Sequence, residues 1–115
     1  MKIDIGMYCY NKTNRKLGIG KIISFQCNNN ANIKYKNDIE LVSIGNVIAS
    51  FDITDILEIG DYVNGYPICE IVECENDTRA IVIDDDTKAI IWDKQGIKSV
   101  ITYEQMEQMA YKVGE

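Results

Sequence analysis

Histidine is absent from this chain of 115 residues, which also has only one proline and three leucines. Without histidine, no Ser-His-Asp triad, histidine-based acid–base pair or histidine-ligated zinc site can form. No apolar run approaches the roughly 20 residues that a membrane-spanning helix needs, and residues 1–5 lack the long apolar stretch of a signal peptide. We therefore expect a cytosolic protein that has no membrane partner and is not an enzyme.

Cysteine is present but sparse, at positions Cys9, Cys27, Cys69 and Cys74. Structural zinc sites usually combine two closely spaced pairs of ligands, and only Cys69 and Cys74 lie close together in the sequence. Their odd offset places them on opposite faces of a straight strand, which disfavours a disulfide between them. We expect four reduced, buried or half-buried cysteines, and neither a metal nor a cofactor.

β-branched and aromatic residues are abundant. The chain has 20 isoleucines, seven valines and seven tyrosines, and these residue types favour strands over helices. A low-GC genome would also enrich isoleucine, because its codons are rich in A and T. We predict a mainly β protein with one short C-terminal helix, spanning residues 102–110.

A short motif occurs twice, as Ile5-Gly6-Met7-Tyr8 and as Ile59-Gly60-Asp61-Tyr62. Each copy precedes a loop, a strand and a hairpin pattern, an order that suits a small, strongly bent, partly open barrel. The alternative is a chance match in an isoleucine-rich chain. The repeat predicts two tandem SH3-like or Tudor-like bent-sheet units packed as one domain, at residues 1–51 and 52–115.

Local signals add detail to this architecture. Asn64-Gly65 predicts a tight hairpin, since both residues tolerate positive φ. Residues 52–57 predict a tight turn or short 3₁₀ helix, and Thr102 and Gln105 have the spacing of a capping box at the start of the helix. Strands are predicted to begin at residues 5 and 59, and a last strand is predicted at residues 111–113.

Charge is distributed unevenly along the chain. Residues 1–36 carry seven basic side chains and one acidic one, whereas residues 37–115 carry five basic and 17 acidic ones. The whole chain has a net charge of −6. Such asymmetry bears on partners and solubility rather than on the fold.

The acidic half contains a dense segment that is either solubilising or a partner-binding face directed at a basic groove of another protein. Its members are Glu70, Glu73, Glu75, Asp77, Asp84, Asp85 and Asp86. The three consecutive aspartates match no calcium-loop pattern, so we expect a soluble hairpin tip rather than a metal site.

The basic half offers an alternative contact with nucleic acid. The candidate residues for phosphate contact are Lys12, Arg15, Lys16 and Lys21, and Tyr8, Tyr10 and Tyr35 are candidates for base stacking. A third interpretation is that the basic and acidic regions face each other, within the chain or across a dimer.

Two segments carry a resemblance to a known group. "FDITDILEIGDYVNGYPICEI" at residues 51–71 and "IKSVITYEQMEQMAYKV" at residues 97–113 resemble small, uncharacterised proteins of clostridial phages and prophages. The resemblance implies a mobile-element origin and brings no catalytic residue with it. "IGMYCY" and "LGIGKIISF" are similar to the opening of Tudor-like and SH3-like modules that bind RNA polymerase or nucleic acid.

The hypothesis that combines these features is a non-enzymatic phage or prophage binding protein. It would inhibit a host defence protein, in the anti-CRISPR or anti-restriction manner, by occupying its nucleic-acid-binding or active site. Its partner would be a nucleic-acid-binding host protein in the bacterial cytoplasm, and the inhibitor would be a monomer or homodimer. One alternative is an SH3-like nucleic-acid-binding or transcription-associated module using the basic first unit. Another is a phage structural or assembly protein.

Overall fold

Two antiparallel sheets of five strands each, followed by one short helix, build the described part of the chain. The computed structural model describes residues 2–27, 29–75, 79–91 and 94–109. The predicted mainly β fold with a single C-terminal helix is therefore confirmed. The last predicted strand, residues 111–113, lies outside the described residues.

The first sheet contains the strands β1 (Tyr8–Asn11), β2 (Gly20–Gln26), β3 (Asn30–Lys34), β4 (Ile39–Ser43) and β5 (Val47–Ser50). Its strand order is β4-β3-β2-β1-β5. A 3₁₀ helix at Ile44–Asn46 carries the chain from β4 into β5, which returns to pair with β1. The sheet is thus a four-strand meander whose fifth strand covers the free side of the first.

The second sheet contains β6 (Tyr62–Val63), β7 (Tyr66–Glu73), β8 (Arg79–Ile83), β9 (Ile90–Ile91) and β10 (Val100–Ile101). Its order, β10-β6-β7-β8-β9, repeats that of the first sheet. A 3₁₀ helix at Lys94–Gly96 again precedes the fifth strand, and the helix α1 (Tyr103–Met109) follows it. We call the two sheets with their turns the first unit and the second unit.

Hydrogen bonds repeat between the units as closely as the strand order does. In the first unit, the Gly6 amide donates to the Ile22 carbonyl at 2.8 Å, and the Ile22 amide donates to Met7 at 3.1 Å. In the second, the Gly60 amide donates to the Ile68 carbonyl at 3.0 Å, and the Ile68 amide donates to Asp61 at 2.7 Å. The motif noticed in the sequence therefore makes the same backbone contacts twice.

A β-bulge also recurs at matched positions. The register of β2 against β3 shifts directly after Ile22, and the register of β7 against β8 shifts directly after Ile68. A bulge bends its strand and increases the local twist. Each unit is therefore bent at the same point, as expected for strongly curved small sheets.

The repeated Ile-Gly pair is a turn and not the beginning of a strand. The strands were predicted to begin at residues 5 and 59, but β1 begins at Tyr8 and β6 begins at Tyr62. Gly6 and Gly60 have φ angles of +91° and +97°, a conformation in which only glycine is unstrained. The same local geometry shortens both strands.

Each unit has its own hydrophobic core. The first core lies inside the first unit and includes Cys9, Ile22 and Ile33. The second core includes Val63 and Ile81 of the second unit and Tyr10 of β1. It also includes Ile53, Ile56 and Leu57 of the segment 51–58 between the units, which we call the linker. Because β1 and the linker contribute to the second core, the two units bury apolar surface against each other.

The predicted capping box is formed at the start of α1. The Gln105 amide donates to Thr102 Oγ1 at 3.1 Å, and the Thr102 amide donates to Gln105 Oε1 at 3.0 Å. Thr102 is fully buried, and its hydroxyl donates to the Arg15 carbonyl at 2.8 Å. This cap therefore begins the helix and also attaches it to the first unit.

A buried ion pair joins the two units. Arg15 Nη1 and Nη2 lie 3.1 and 2.7 Å from the two carboxylate oxygens of Asp61, whose side chain is completely buried. The amides of Glu58 and Tyr103 also donate to Asp61, at 2.9 Å each. Glu104 accepts a further bond from Arg15 Nη1 at 2.7 Å. The Asp61 carboxylate thus has four donors from three segments of the chain.

Additional contacts surround the Arg15 guanidinium. It stacks over the ring of Tyr10, 4.6 Å from the centroid, and Arg15 Nε lies 3.1 Å from Glu58 Oε2 in an ion pair that is not aligned as a hydrogen bond. Burial opposes its charge, but the hydrogen bond and Coulombic attraction to Asp61 and the other carboxylates raise the pKa of Arg15 above its usual range. The guanidinium therefore stays charged throughout the pH range of folded proteins.

Replacing Arg15 with methionine should destabilise the fold, because it leaves the Asp61 carboxylate buried without its partner. Breaking a buried pair from one side costs about 3–5 kcal/mol, so we expect a loss of that size in the free energy of unfolding, measured by urea denaturation. Lys12→Met, which removes an exposed charge from the same loop, should change it by less than about 0.5 kcal/mol. Equal effects of the two substitutions would contradict a structural role for the pair.

Candidate functional site

A groove of about 490 Å³ lies between the two units. The first unit and the linker supply Tyr8, Ile19, Gly20, Lys21, Ile23, Lys34, Tyr35, Lys36 and Ile53, and the second unit supplies Ile97, Lys98, Ser99 and Val100. The volume falls within the range of small-molecule binding sites. Since both units line it, the groove exists only while they keep their relative position.

Four lysines line this groove: Lys21, Lys34, Lys36 and Lys98. All four are exposed, and none of the groove's lining residues within the described part of the chain is acidic. Lys21 and Lys34 are directly opposite each other across β2 and β3. Like charges at such positions repel and destabilise the sheet. A bound anion would relieve this repulsion, so the arrangement favours an anionic ligand.

The floor between the lysines is largely apolar. Ile53 is buried there, while Tyr8, Ile19 and Ile97 are half-buried. Gly20 allows β2 and β3 to approach closely beside this floor, because a Cβ atom there would lie 2.7 Å from both Ile33 Cγ2 and the Lys34 carbonyl oxygen. The groove therefore combines exposed lysines with a largely apolar floor.

The wall that carries Lys98 is held by Asn64 of the β6–β7 hairpin. Asn64 Oδ1 accepts from the amides of Lys98 and Ser99 at 2.7 and 3.2 Å, and Asn64 Nδ2 donates to the Gly96 carbonyl at 2.9 Å. Asn64 and Gly65 have φ angles of +53° and +88°, which matches the predicted tight hairpin. The turn thus positions the backbone that presents Lys98.

Among the basic residues predicted to contact phosphate, only Lys21 lines the groove. Arg15 is withdrawn from that candidate set, because its guanidinium is buried in the ion pair with Asp61. Lys16 lies beside α1, in a depression lined by Glu104, Glu107 and Gln108. Lys12 is exposed on the loop after β1. The loop proposed from the sequence is therefore not a continuous phosphate-binding surface.

Three lysines of the groove were not among the residues predicted to bind phosphate: Lys34, Lys36 and Lys98. The alternation Ile33-Lys34-Tyr35-Lys36 is typical of an exposed strand, but nothing in the sequence showed that Lys98 would line the same groove. Of the candidate stacking residues, Tyr8 and Tyr35 line the groove, although Tyr35 is 6% exposed. Tyr10 is buried against Arg15 instead.

The predicted acidic face is divided between the two ends of the β7–β8 hairpin. Glu73 pairs with Arg79 at one end, with Oε1 and Nε 3.2 Å apart. At the other end the Asp84 amide donates to the Pro67 carbonyl at 2.8 Å. Pro67 and Glu73, which mark these two ends, are six positions apart on β7, or roughly 20 Å along the strand. The described members of the acidic set therefore do not form one compact patch along this hairpin.

Other members of the acidic set differ in their surroundings. Glu70, Glu75 and Asp86 are exposed, and Asp77 lies outside the described residues. Asp85 organises the turn after β8: hydrogen bonds from the Thr87 side chain and backbone lower its pKa. Asp84 forms a long ion pair with Lys88 at 3.4 Å. Surface pairs of this kind contribute little to stability.

Arg79, the one basic residue within the acidic segment, has a structural role. Its Nη1 and Nη2 atoms donate to the carbonyls of Thr54 and Leu57 at 2.9 and 3.2 Å. These carbonyls belong to the linker between the units, where the predicted 3₁₀ helix occurs at Ile53–Ile56. Arg79 therefore attaches the linker to the second sheet.

The cysteines do not all have the predicted burial. Cys9 is buried and Cys74 is half-buried, but Cys27 and Cys69 are exposed. Cys27 lies in the turn after β2 with φ of +56°. Cys69 lies at the bulge of β7, where the register shift interrupts strict in–out alternation. The prediction was therefore wrong for these two residues.

Neither a metal cluster nor a membrane-spanning helix is found within the described ranges. No group of three or more cysteine, aspartate or glutamate side chains there is arranged to hold a metal ion. The helices of those ranges are too short to cross a membrane.

Comparison with protein-family models, with curated proteins and with solved structures returns no match. The assignment of a site therefore depends on the geometry and charge of the groove alone. The resemblance to proteins of clostridial phages stays a prediction.

Cys9 should be unreactive in the folded protein. Burial raises the pKa of its thiol to about 12, so almost no thiolate is present at pH 8, and the thiolate is the reactive form. Iodoacetamide at pH 8 should modify the exposed Cys27 and Cys69 first, as followed by peptide mass spectrometry, and should reach Cys9 only after urea is added. Early modification of Cys9 would show that the first core opens readily.

Proposed function

We propose that this protein is a non-enzymatic nucleic-acid-binding module whose binding site is the groove between its two units. The observation that supports this proposal is the convergence of four lysines on one groove with no acidic residue among its described lining. Phosphate groups are the ligand that such a set of ammonium groups fits best. The proposal keeps the predicted SH3-like binding role but moves the contact surface from the loop after β1 to the groove.

The overall negative charge does not prevent such binding. The electrostatic potential in the groove is set mainly by the nearest charges, and a low-dielectric surface such as the apolar floor strengthens it. At the ionic strength of cells, charges beyond about 8 Å are largely screened. The net charge of −6 does, however, predict weak binding, and the lysine–phosphate contacts make the affinity depend on salt. The net charge also predicts that chain regions outside the groove repel the nucleic acid.

Removing two groove lysines should weaken binding specifically. We expect Lys34→Gln combined with Lys98→Gln to lower the affinity for a fluorescent oligonucleotide at least tenfold at low salt, measured by anisotropy. It should also reduce the slope of log affinity against log salt by about 0.7 for each lysine that contacts a single strand. Both residues are exposed, so folding should be unaffected.

The matched control is Lys12→Gln combined with Lys16→Gln. It changes the net charge by the same amount but acts on lysines outside the groove, and it should keep most of the affinity and nearly the original salt slope. An equal loss of affinity in both variants would show that the effect comes from net charge and not from the groove. No binding by the unmodified protein at low salt would contradict the proposed function.

A second proposal retains the inhibitor hypothesis, and the exposure of Glu70, Asp84 and Asp86 supports it. Asp84 and Asp86 lie in the β8–β9 turn, Glu70 lies on β7 opposite Val82, and all three are available to a basic surface of another protein. The partner would be a nucleic-acid-binding host defence protein, engaged by a phage or prophage protein acting as a monomer or homodimer. Asp85 adds a further negative charge beside Asp84 and Asp86, and hydrogen bonds from Thr87 lower the pKa of its carboxyl group.

Charge reversal tests this second proposal. Glu70→Lys combined with Asp84→Lys should abolish recovery of a host protein from clostridial lysate by the tagged chain. Asp4→Lys combined with Asp38→Lys, at exposed positions outside the acidic set, should not. A partner retained equally by both variants, or no partner at all, would contradict it.

A further inference from the structure

The groove has features that a pure phosphate site does not need. We infer that its ligand is single-stranded nucleic acid, with phosphates on the lysines and at least one base or sugar on the apolar floor. This inference rests on the proposed function and narrows it. It comes from the position of Tyr8, Ile23 and their neighbours between the lysines, not from the lysines themselves.

The apolar floor distinguishes a single strand from a duplex. A duplex presents phosphates and sugars on its outside and keeps its base faces stacked, so it has no apolar face to place on Tyr8 and Ile53. A single strand exposes base faces, which stack on aromatic side chains in sequence-tolerant sites. Ile23 lines the groove and is 40% exposed, so its burial by a ligand would be favourable.

Tyr8 is the stacking residue in this arrangement. Its ring lines the groove, and Lys21 Nζ lies 4.8 Å from the ring centroid. Lys21 and Tyr8 are cross-strand partners of β2 and β1. Because the Lys21 ammonium lies over this ring, a base stacks there only when the exposed Lys21 side chain turns away to bind a phosphate.

The dimensions fit a short part of a strand. A volume of about 490 Å³ is in the range of pockets for drug-sized ligands, so it holds about one or two nucleotides. Lysines occur on both sides, with Lys34 and Lys36 from the first unit and Lys98 from the second. A longer strand can therefore pass between the units and contact lysine on either side.

Three anionic probes separate the base contact from the charge contact. We would measure binding of an oligo-dT of about 12 nucleotides, within the site sizes of known single-strand binders, and compete it with a duplex of the same length and with linear polyphosphate. The expected result is that oligo-dT binds at least tenfold more tightly than either competitor per phosphate. Equal affinity for all three would overturn the inference and leave the proposed function intact, whereas no binding of any nucleic acid would overturn both.

Substitutions in the floor complete the test. Tyr8→Leu should lower the affinity for oligo-dT about tenfold without changing that for polyphosphate, and Tyr8→Phe should retain the stacking contact. Because Tyr8 is half-buried against the second core, Ile23→Ser at an exposed floor position provides a second variant that should lower only the affinity for oligo-dT. Unchanged oligo-dT affinity in both Tyr8→Leu and Ile23→Ser would overturn the inference.

Discussion

The Arg15–Asp61 ion pair is the interaction on which the arrangement of the two units depends. Asp61 is completely buried, and its carboxylate is satisfied by Arg15 from the first unit, by the Glu58 amide of the linker and by the Tyr103 amide of α1. Burying this charge is costly unless all of these donors are present. The Asp61 carboxylate therefore keeps all of its donors in only one arrangement of the Arg15 loop, the linker and α1. Any other arrangement would leave this carboxylate buried without hydrogen-bond partners.

The groove follows from this arrangement. Its lysines belong to both units, and a small rotation between the units would separate Lys98 from Lys21 and Lys34. Arg79 adds a second attachment by binding the linker carbonyls of Thr54 and Leu57. The interactions of Arg15 and Arg79 thus hold the exposed lysines of the groove in position. Arg15 of the N-terminal half is thus structural, whereas Lys21, Lys34 and Lys36 of the same half are exposed in the groove.

The difference between the two repeats creates their interface. The strand order, the bulge and the turn hydrogen bonds are shared, but Asp61 occupies the position of Met7 in the first unit. The first unit also has a long loop containing Arg15 where the second has only the Asn64-Gly65 turn. The long loop of the first unit therefore supplies the cation, Arg15, and the second unit supplies the anion, Asp61.

The sequence by itself determined the local structure. Alternation, the Asn64-Gly65 turn and the Thr102–Gln105 cap depend on neighbouring residues, so the mainly β class and the terminal helix could be predicted. The predicted strand beginnings at residues 5 and 59 were wrong, because the backbone conformation of Gly6 and Gly60 overrides the apolar pattern. Only the tertiary structure decided that Arg15 is buried and that Lys98 joins Lys21. Arg15 and Asp61 are 46 positions apart in the chain, and Lys21 and Lys98 line the groove from different units, so both arrangements are set by how the units pack, which no local pattern encodes.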